Sequence, residues 1–203
     1  VVGEAGDGRV RWFDRIKATG FGYEHRNFAL NEARGRFIAW QAHDDLWLPD
    51  HLERMLGVFR NEETAWAHSR PTWVTRAGQI CPAACFLDDP DTRQVFLAME
   101  DSLVYSNCVM HRRDCVERFG LWNTALPSCG DWDYWARIIR GGGLTAVLPE
   151  ITTLHFRAEW RTDSNFASAR LQPILDWHAR GGAGREALRI ELPPDVTEQE
   201  GAW

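Results

Sequence analysis

Long apolar runs are missing from this sequence. None approaches the roughly 20 residues that a membrane-spanning helix needs, and the first residues lack the basic, apolar and small-residue pattern of a secretory leader. An excess of positive charge is missing too. Acidic and basic residues are interspersed, with 29 Asp and Glu against 23 Lys and Arg and a formal net charge of −6. That balance lacks the basic stripe of a nucleic-acid binder and argues against a polyanionic partner. Paired cysteines are also missing. Cys81, Cys85, Cys108, Cys115 and Cys129 form no CxxC pair. Their odd number, without a secretion signal, implies free thiols in a reducing, cytoplasmic setting. No internal repeat is visible. What remains is an ordinary composition, 44% hydrophobic and 26% charged over 203 residues, enough for one domain that buries roughly 70% of its unfolded surface. Eleven tryptophans stand out. Most belong in a core, although flat apolar rings with a polar edge also suit a carbohydrate site.

Along the chain, helix and strand patterns alternate, as an α/β domain requires. Val1-Val2 reads as the end of a strand that enters the glycine-rich loop 3–8, and residues 9–13 alternate like a short strand. A helix is expected over 23–34, with Phe28, Leu30 and Ala33 inward and Gly35 as its stop. Residues 37–40 form the apolar run of a buried strand. After Pro49 a helix carries Leu52, Met55, Leu56 and Phe59 at helical spacing. Strands follow at 65–69 and 73–75, with a turn at 76–79 between hairpin arms. Residues 82–91 read as a solvated loop holding Asp88, Asp89 and Asp91. Beyond it come a strand at 106–111, a short helix at 113–119 closed by Gly120, and a helix at 131–140 stopped by three glycines. Strands at 144–148 and 151–157 and an amphipathic helix at 165–180 complete a single domain over 1–180. The tail 181–203 is expected to be poorly ordered.

Two acidic spots carry the chemistry. Asp44 and Asp45 follow the strand at 37–40, at the carboxyl end where open α/β sheets bind ligands. That position suits a divalent cation, Mg2+ or Mn2+, which takes one or two protein carboxylates plus substrate phosphates. The same aspartates would equally serve to cap a turn or the helix after Pro49. The second spot, Gly130-Asp131-Trp132-Asp133, heads a helix about ninety residues later. An acid there is favoured by the exposed N–H groups whatever its function. Trp132 suits an acceptor wall and the core equally well. Arg26 is able to fork onto a phosphate or a base; a surface ion pair suits it as well. His155 and Arg157, on the late strand, are further candidates for the diphosphate, with His155 a second candidate for the cation.

Two blocks in this order carry a family resemblance. The first comprises Arg26-Asn27, Ala33-Arg34-Gly35, Phe37-Ile38-Ala39, Asp44-Asp45, Trp47, Pro49-Asp50 and Leu52-Glu53. The second comprises Val109 to Arg113, Phe119-Gly120, Asp131-Trp132-Asp133 and Trp135-Arg137. Over residues 1 to about 160 the chain resembles a family-2 glycosyltransferase of the GT-A fold. The resemblance implies a mixed, mostly parallel sheet flanked by helices. It also implies transfer of a sugar from a nucleotide diphosphate sugar to an acceptor hydroxyl on a glycan, lipid or small molecule, usually with inversion. It implies Asp44 as metal ligand, Asp131 as general base, and Glu4 and Arg26 as nucleotide contacts. Asp45 and Trp132 would complete the donor site.

The departures from the family pattern are specific. Its acidic motif reads Asp-Ala-Asp-Asp, whereas Ala42-His43-Asp44-Asp45 stands here. Its Glu-Asp pair is Gly130-Asp131. The family also has an apolar strand and a helix before the position of Val1, so an apolar sheet edge or re-paired strands are expected here. A non-catalytic relative that binds a nucleotide or a partner is the alternative reading. His43-Asp44 lacks the further histidines of a metal phosphohydrolase.

Overall fold

A computed structural model describes residues 7–18, 21–43, 45–74, 80–98 and 102–156 of the chain. The expected strand at Val1-Val2, the turn at 76–79, the helix at 165–180 and the tail lie outside the described residues.

Three apolar strands leave one sheet and continue into another at the same end. The main sheet has the order β1 (Phe37–Ala39), β6 (Val109–Arg112), β3 (Thr64–Ser69), β7 (Leu144–Leu148). The second has the order β2 (Leu46–Trp47), β8 (Thr153–Phe156), β4 (Thr72–Val74), β5 (Ile80–Pro82). Thus β1 runs on to β2, β3 to β4, and β7 to β8. The α/β class with mixed, helix-flanked sheets is as expected. The share of parallel pairing is smaller: β3–β7 and β4–β8 are parallel, while β1–β6, β3–β6, β2–β8 and β4–β5 are antiparallel. The cause is β6, which enters the main sheet reversed between β1 and β3. Among the described residues β1 has a strand on one side only.

Alternation along the strands sends side chains to opposite faces of the main sheet. Trp66 and Val109 pack on one face with Trp122, Tyr134 and Trp135. Ala67 and Met110 pack on the other with Met55 and Phe59. Helix α5 (Gly130–Arg140) supplies Tyr134, Trp135 and Ile138 to the first face, and Trp66 stacks on Trp135 with centroids 5.4 Å apart. Its last turn ends at Gly141, as the three-glycine run implies. Helix α2 (His51–Gly57) covers the other face through Met55, with Phe59 just beyond, and buries His51 against Trp47 and Thr152. Leu52 and Leu56, expected inward, are 44% and 48% exposed, because the helix is turned by one position toward His51.

Three further expectations are corrected. Residues 9–13 form no strand: Arg9 folds onto Asp7, Arg11 reaches the Glu32 carbonyl at 2.6 Å, and Trp12 is 71% exposed. Their alternation reflects side-chain contacts with helix α1 (Tyr23–Glu32), including Phe13 against Phe28, and no backbone ladder. Helix α1 stops at Glu32, before Gly35, where Ala33 turns extended. Within 82–91 the chain starts helix α3 (Pro90–Ala98), capped by the Asp89 carboxylate, which accepts the Thr92 N–H at 2.7 Å. Asp89 is therefore a helix cap. A 3₁₀ turn (Ser106–Cys108) precedes β6, where a longer strand was expected, and α4 (Cys115–Phe119) forms beside Gly120.

Candidate active site

The carboxyl ends of β1, β3 and β7 lie at one end of the main sheet, and the segments leaving them build the site. Register places Ala39 opposite Met110 and His68 opposite Val109, so the turn Ser106–Cys108 sits at this same end. A cleft of about 550 Å³ opens beside it, between α1 and the free edge of β1. Arg26, Leu30, Ile38, Trp40, Ala42 and Ser106 are among its walls. Of the described candidate residues, Arg26 alone lines it.

Arg26 is held in an aromatic frame. Its guanidinium lies 4.4 Å from the Trp122 ring centroid and within about 6 Å of Tyr23 and Trp40, and Nη1 donates to Ser106 Oγ at 3.3 Å. Such stacking favours a planar cation. Burial pulls the Arg26 pKa below its ordinary value, while the Asp131 carboxylate and Tyr23 pull it back. Arg26 and Asp131 are thus electrostatic neighbours, although 105 positions separate them. Asn27, beside Arg26, clasps Trp122 from both sides: Nδ2 donates to its carbonyl at 2.9 Å, and Oδ1 accepts its N–H at 2.8 Å. The sequence offered the Arg-Asn pair without revealing this structural role.

Asp131 occupies the first turn of α5, half-buried, with Oδ1 accepting the Trp132 N–H at 3.0 Å. The turn is aimed by Cys129, which adopts φ +54°, a region costing a non-glycine residue about 1–3 kcal/mol. Gly130 has a steric reason to be glycine. A Cβ there would lie 2.5 Å from Tyr23 Cζ, and the Gly130 N–H donates to Tyr23 Oη at 2.9 Å. Trp132 turns away from the cleft; its indole N–H donates to the Phe96 carbonyl of α3 at 2.9 Å, and Arg140 covers its ring.

Asp45 is buried, its side chain 3% exposed. Oδ1 accepts His155 Nδ1–H at 2.9 Å and the Phe156 N–H at 3.0 Å, and Oδ2 lies 3.1 Å from the same imidazole nitrogen. Tyr105 stacks on His155 with centroids 3.9 Å apart. These bonds occupy Asp45, so it caps neither a turn nor α2. The buried Cys108 thiol is raised well above its ordinary pKa, chiefly by burial and then by Cys85, with lesser contributions from Asp131 and Asp45. Asp44, Glu4 and Arg157 lie outside the described residues.

An imidazole that gives its Nδ1–H to a carboxylate presents Nε2 as a lone pair, the usual posture of a metal-bound histidine. Among the described residues no three His, Cys, Asp or Glu side chains are grouped to enclose an ion. One imidazole donor of this kind suits a cation that takes the rest of its shell from phosphates and waters. A second cleft of about 360 Å³ lies at the opposite end of the main sheet, among Arg34, Arg36, Arg112 and Arg113. Arg112 is tied there to the Thr64 and Asn61 carbonyls.

The helix-flanked mixed sheets have the GT-A fold of solved glycosyltransferase structures. The solved structure of S. aureus TarS 1–349 is similar at 14% identity and TM-score 0.51, covering 78% of this chain and 45% of that one. A longer S. aureus TarS structure gives 14% identity and TM-score 0.51 over 76% of this chain and 27% of that one. The mannosyltransferase PcManGT from Pyrobaculum calidifontis, solved with GDP-Man and Mn2+, is 15% identical with TM-score 0.46, covering 79% and 44%. The chain thus spans less than half the length of each of these structures. No curated protein matches the sequence. Residues 4–78 match the model for Glycosyl transferase family 2. Among the described residues no helix is long and apolar enough to cross a membrane.

Proposed function

We propose that this chain belongs to a hexosyltransferase that moves a sugar from a nucleotide diphosphate sugar to an acceptor hydroxyl with inversion. One observation carries the reading: the Arg26 guanidinium, stacked 4.4 Å from the Trp122 ring and bonded to Ser106, lines the cleft at the strand ends. Asp131 would accept the acceptor hydroxyl's proton while that oxygen attacks the anomeric carbon from the face opposite the phosphate. Arg26, already planar and desolvated, would fork onto the nucleotide or its phosphates. Glu4 would contact the base, whereas Trp132, packed against Phe96 and Arg140, would support the site from behind. Asp44 and His155 would hold Mg2+ or Mn2+, which supplies Lewis-acid stabilisation of the leaving diphosphate. Five cysteines, none in a disulfide, suit a cytoplasmic setting.

A second reading, a relative that binds without turnover, is favoured by the Tyr23 ring that excludes any side chain at Gly130. Thermal shifts with UDP-, GDP- and dTDP-sugars, with and without Mn2+, separate the two. A metal-dependent shift for one donor, followed by turnover that Asp131→Asn abolishes, supports the enzyme. A shift without turnover supports binding alone, and no shift with any donor rejects both.

A further inference from the structure

Asp45 makes no use of its charge in solvent, in the cleft or at a helix end. It sits just before β2, and the antiparallel register Leu46↔Leu154 and Trp47↔Thr153 brings it beside His155, 110 positions away. Three constraints then act on one imidazole. The carboxylate takes its Nδ1–H with both oxygens, at 2.9 and 3.1 Å. The Phe156 N–H holds that carboxylate in place, and Gln41 Nε2 pins the Asp45 carbonyl at 2.7 Å. Tyr105 lies against the ring at an interplanar angle of 20° and limits its rotation. Among the described residues Nε2 has no hydrogen-bond partner, and the His155 side chain keeps 19% exposure. A carboxylate used only to tie two strands would be complete with the Phe156 N–H. The imidazole is held more rigidly than that purpose needs.

We propose that Asp45 is a positioning residue: it fixes the neutral His155 ring as the Nδ1–H tautomer, so that Nε2 is an acceptor. Which nitrogen of a histidine carries the proton is set by the hydrogen bond the other makes. In the neutral ring, with Nδ1–H committed to a carboxylate, Nε2 accepts a proton donor or a divalent cation. What Nε2 meets rests on the glycosyl-transfer reading; the tautomer does not. Asp45 acts through His155, so the direct sugar-donor contact expected of it is replaced by an indirect role.

Two-bond 1H–15N NMR of the neutral imidazole, at pH 8, reads the tautomer directly. The expected spectrum has protonated Nδ1 and bare Nε2. Asp45→Asn keeps an oxygen for both Nδ1–H and Phe156 N–H and preserves the tautomer, whereas Asp45→Ala moves the proton mainly to Nε2. Manganese EPR in the presence of nucleoside diphosphate gives the second readout. Asp45→Ala and His155→Ala should each weaken Mn2+ by 10–100-fold, and the double variant should lose no more than either alone. Nε2–H in the parent protein overturns the proposal, as does an Asp45→Ala spectrum unchanged from it, or additive Mn2+ losses. If Asp45→Ala does not fold, the parent spectrum and Asp45→Asn still decide. Should Mn2+ and nucleotide not bind the parent protein at all, the transferase reading fails while the tautomer still decides the role of Asp45.

Discussion

Three histidines locked in the core make the fold sensitive to mild acid. His51, His68 and His111 are each at most 1% exposed, and burial pushes each pKa down from 6.5 to about 4. His68 shows why. Its Nδ1–H donates to the Ser69 carbonyl at 2.9 Å, and Nε2 faces the Leu87 N–H at 3.4 Å. A second proton would set two donors against each other. In His111 and His51, Nε2 is buried without a partner, so a proton there would be a buried, unsatisfied charge. The unfolded chain takes up these protons near pH 6.5 and the folded chain near pH 4. Stability is therefore full above about 6.5 and falls as pH drops toward 4. Each shift corresponds to about 3 kcal/mol, and three together to about 10, comparable with the whole stability of an ordinary domain. Urea unfolding followed by tryptophan fluorescence at pH 7.5, 6.5, 5.75 and 5.0 measures the slope. The window stops at pH 5 so that carboxylates contribute little. We expect a plateau, then a loss approaching about 4 kcal/mol per pH unit, three times the limiting slope of one group. His111→Gln, which keeps a donor for the Arg112 carbonyl, should reduce that slope by about 1.4. A total slope below one group's worth would refute the claim that these rings are buried neutral.

The remaining predictions concern the site's own scaffold. Gly130→Ala places a methyl group 2.5 Å from Tyr23 Cζ and should lower stability by about 1–3 kcal/mol, read as a urea midpoint shift at constant slope. A variant as stable as its parent would mean that Tyr23 does not fill that space. Arg26→Lys keeps a charge but loses the flat face over Trp122. For whichever nucleotide binds, its affinity should fall about tenfold, or about 1.4 kcal/mol, by titration calorimetry. Equal affinity would remove the guanidinium from the binding account.

The sequence-based reading succeeded where a pattern repeats within a dozen residues. The strands β1, β3 and β7 and the extent of α5 were visible because each element buries one face locally. Even there, periodicity left rotation open: Leu52 and Leu56 fit the helical spacing of α2, but the polar His51 belongs to its buried face and bonds Thr152 at 2.8 Å. Helix α3 was missed because it buries one large apolar residue, Phe96, although Asp89-Pro90 is a cap followed by a favoured first-turn residue. The candidate site was legible as residue types and not as contacts. Tyr23 against Gly130 spans 107 positions, Asp45 on His155 spans 110, and Asn27 around Trp122 spans 95. No local period encodes such pairs; strand register and the turn at Cys129 bring them together. That division explains why a glycine that looked like a lost acid has a steric cause in a tyrosine a hundred residues earlier. It also explains why an aspartate assigned to the substrate is committed to a histidine. A substitution at such a position has to be judged against its distant partner, because the neighbouring sequence contains no sign of the constraint.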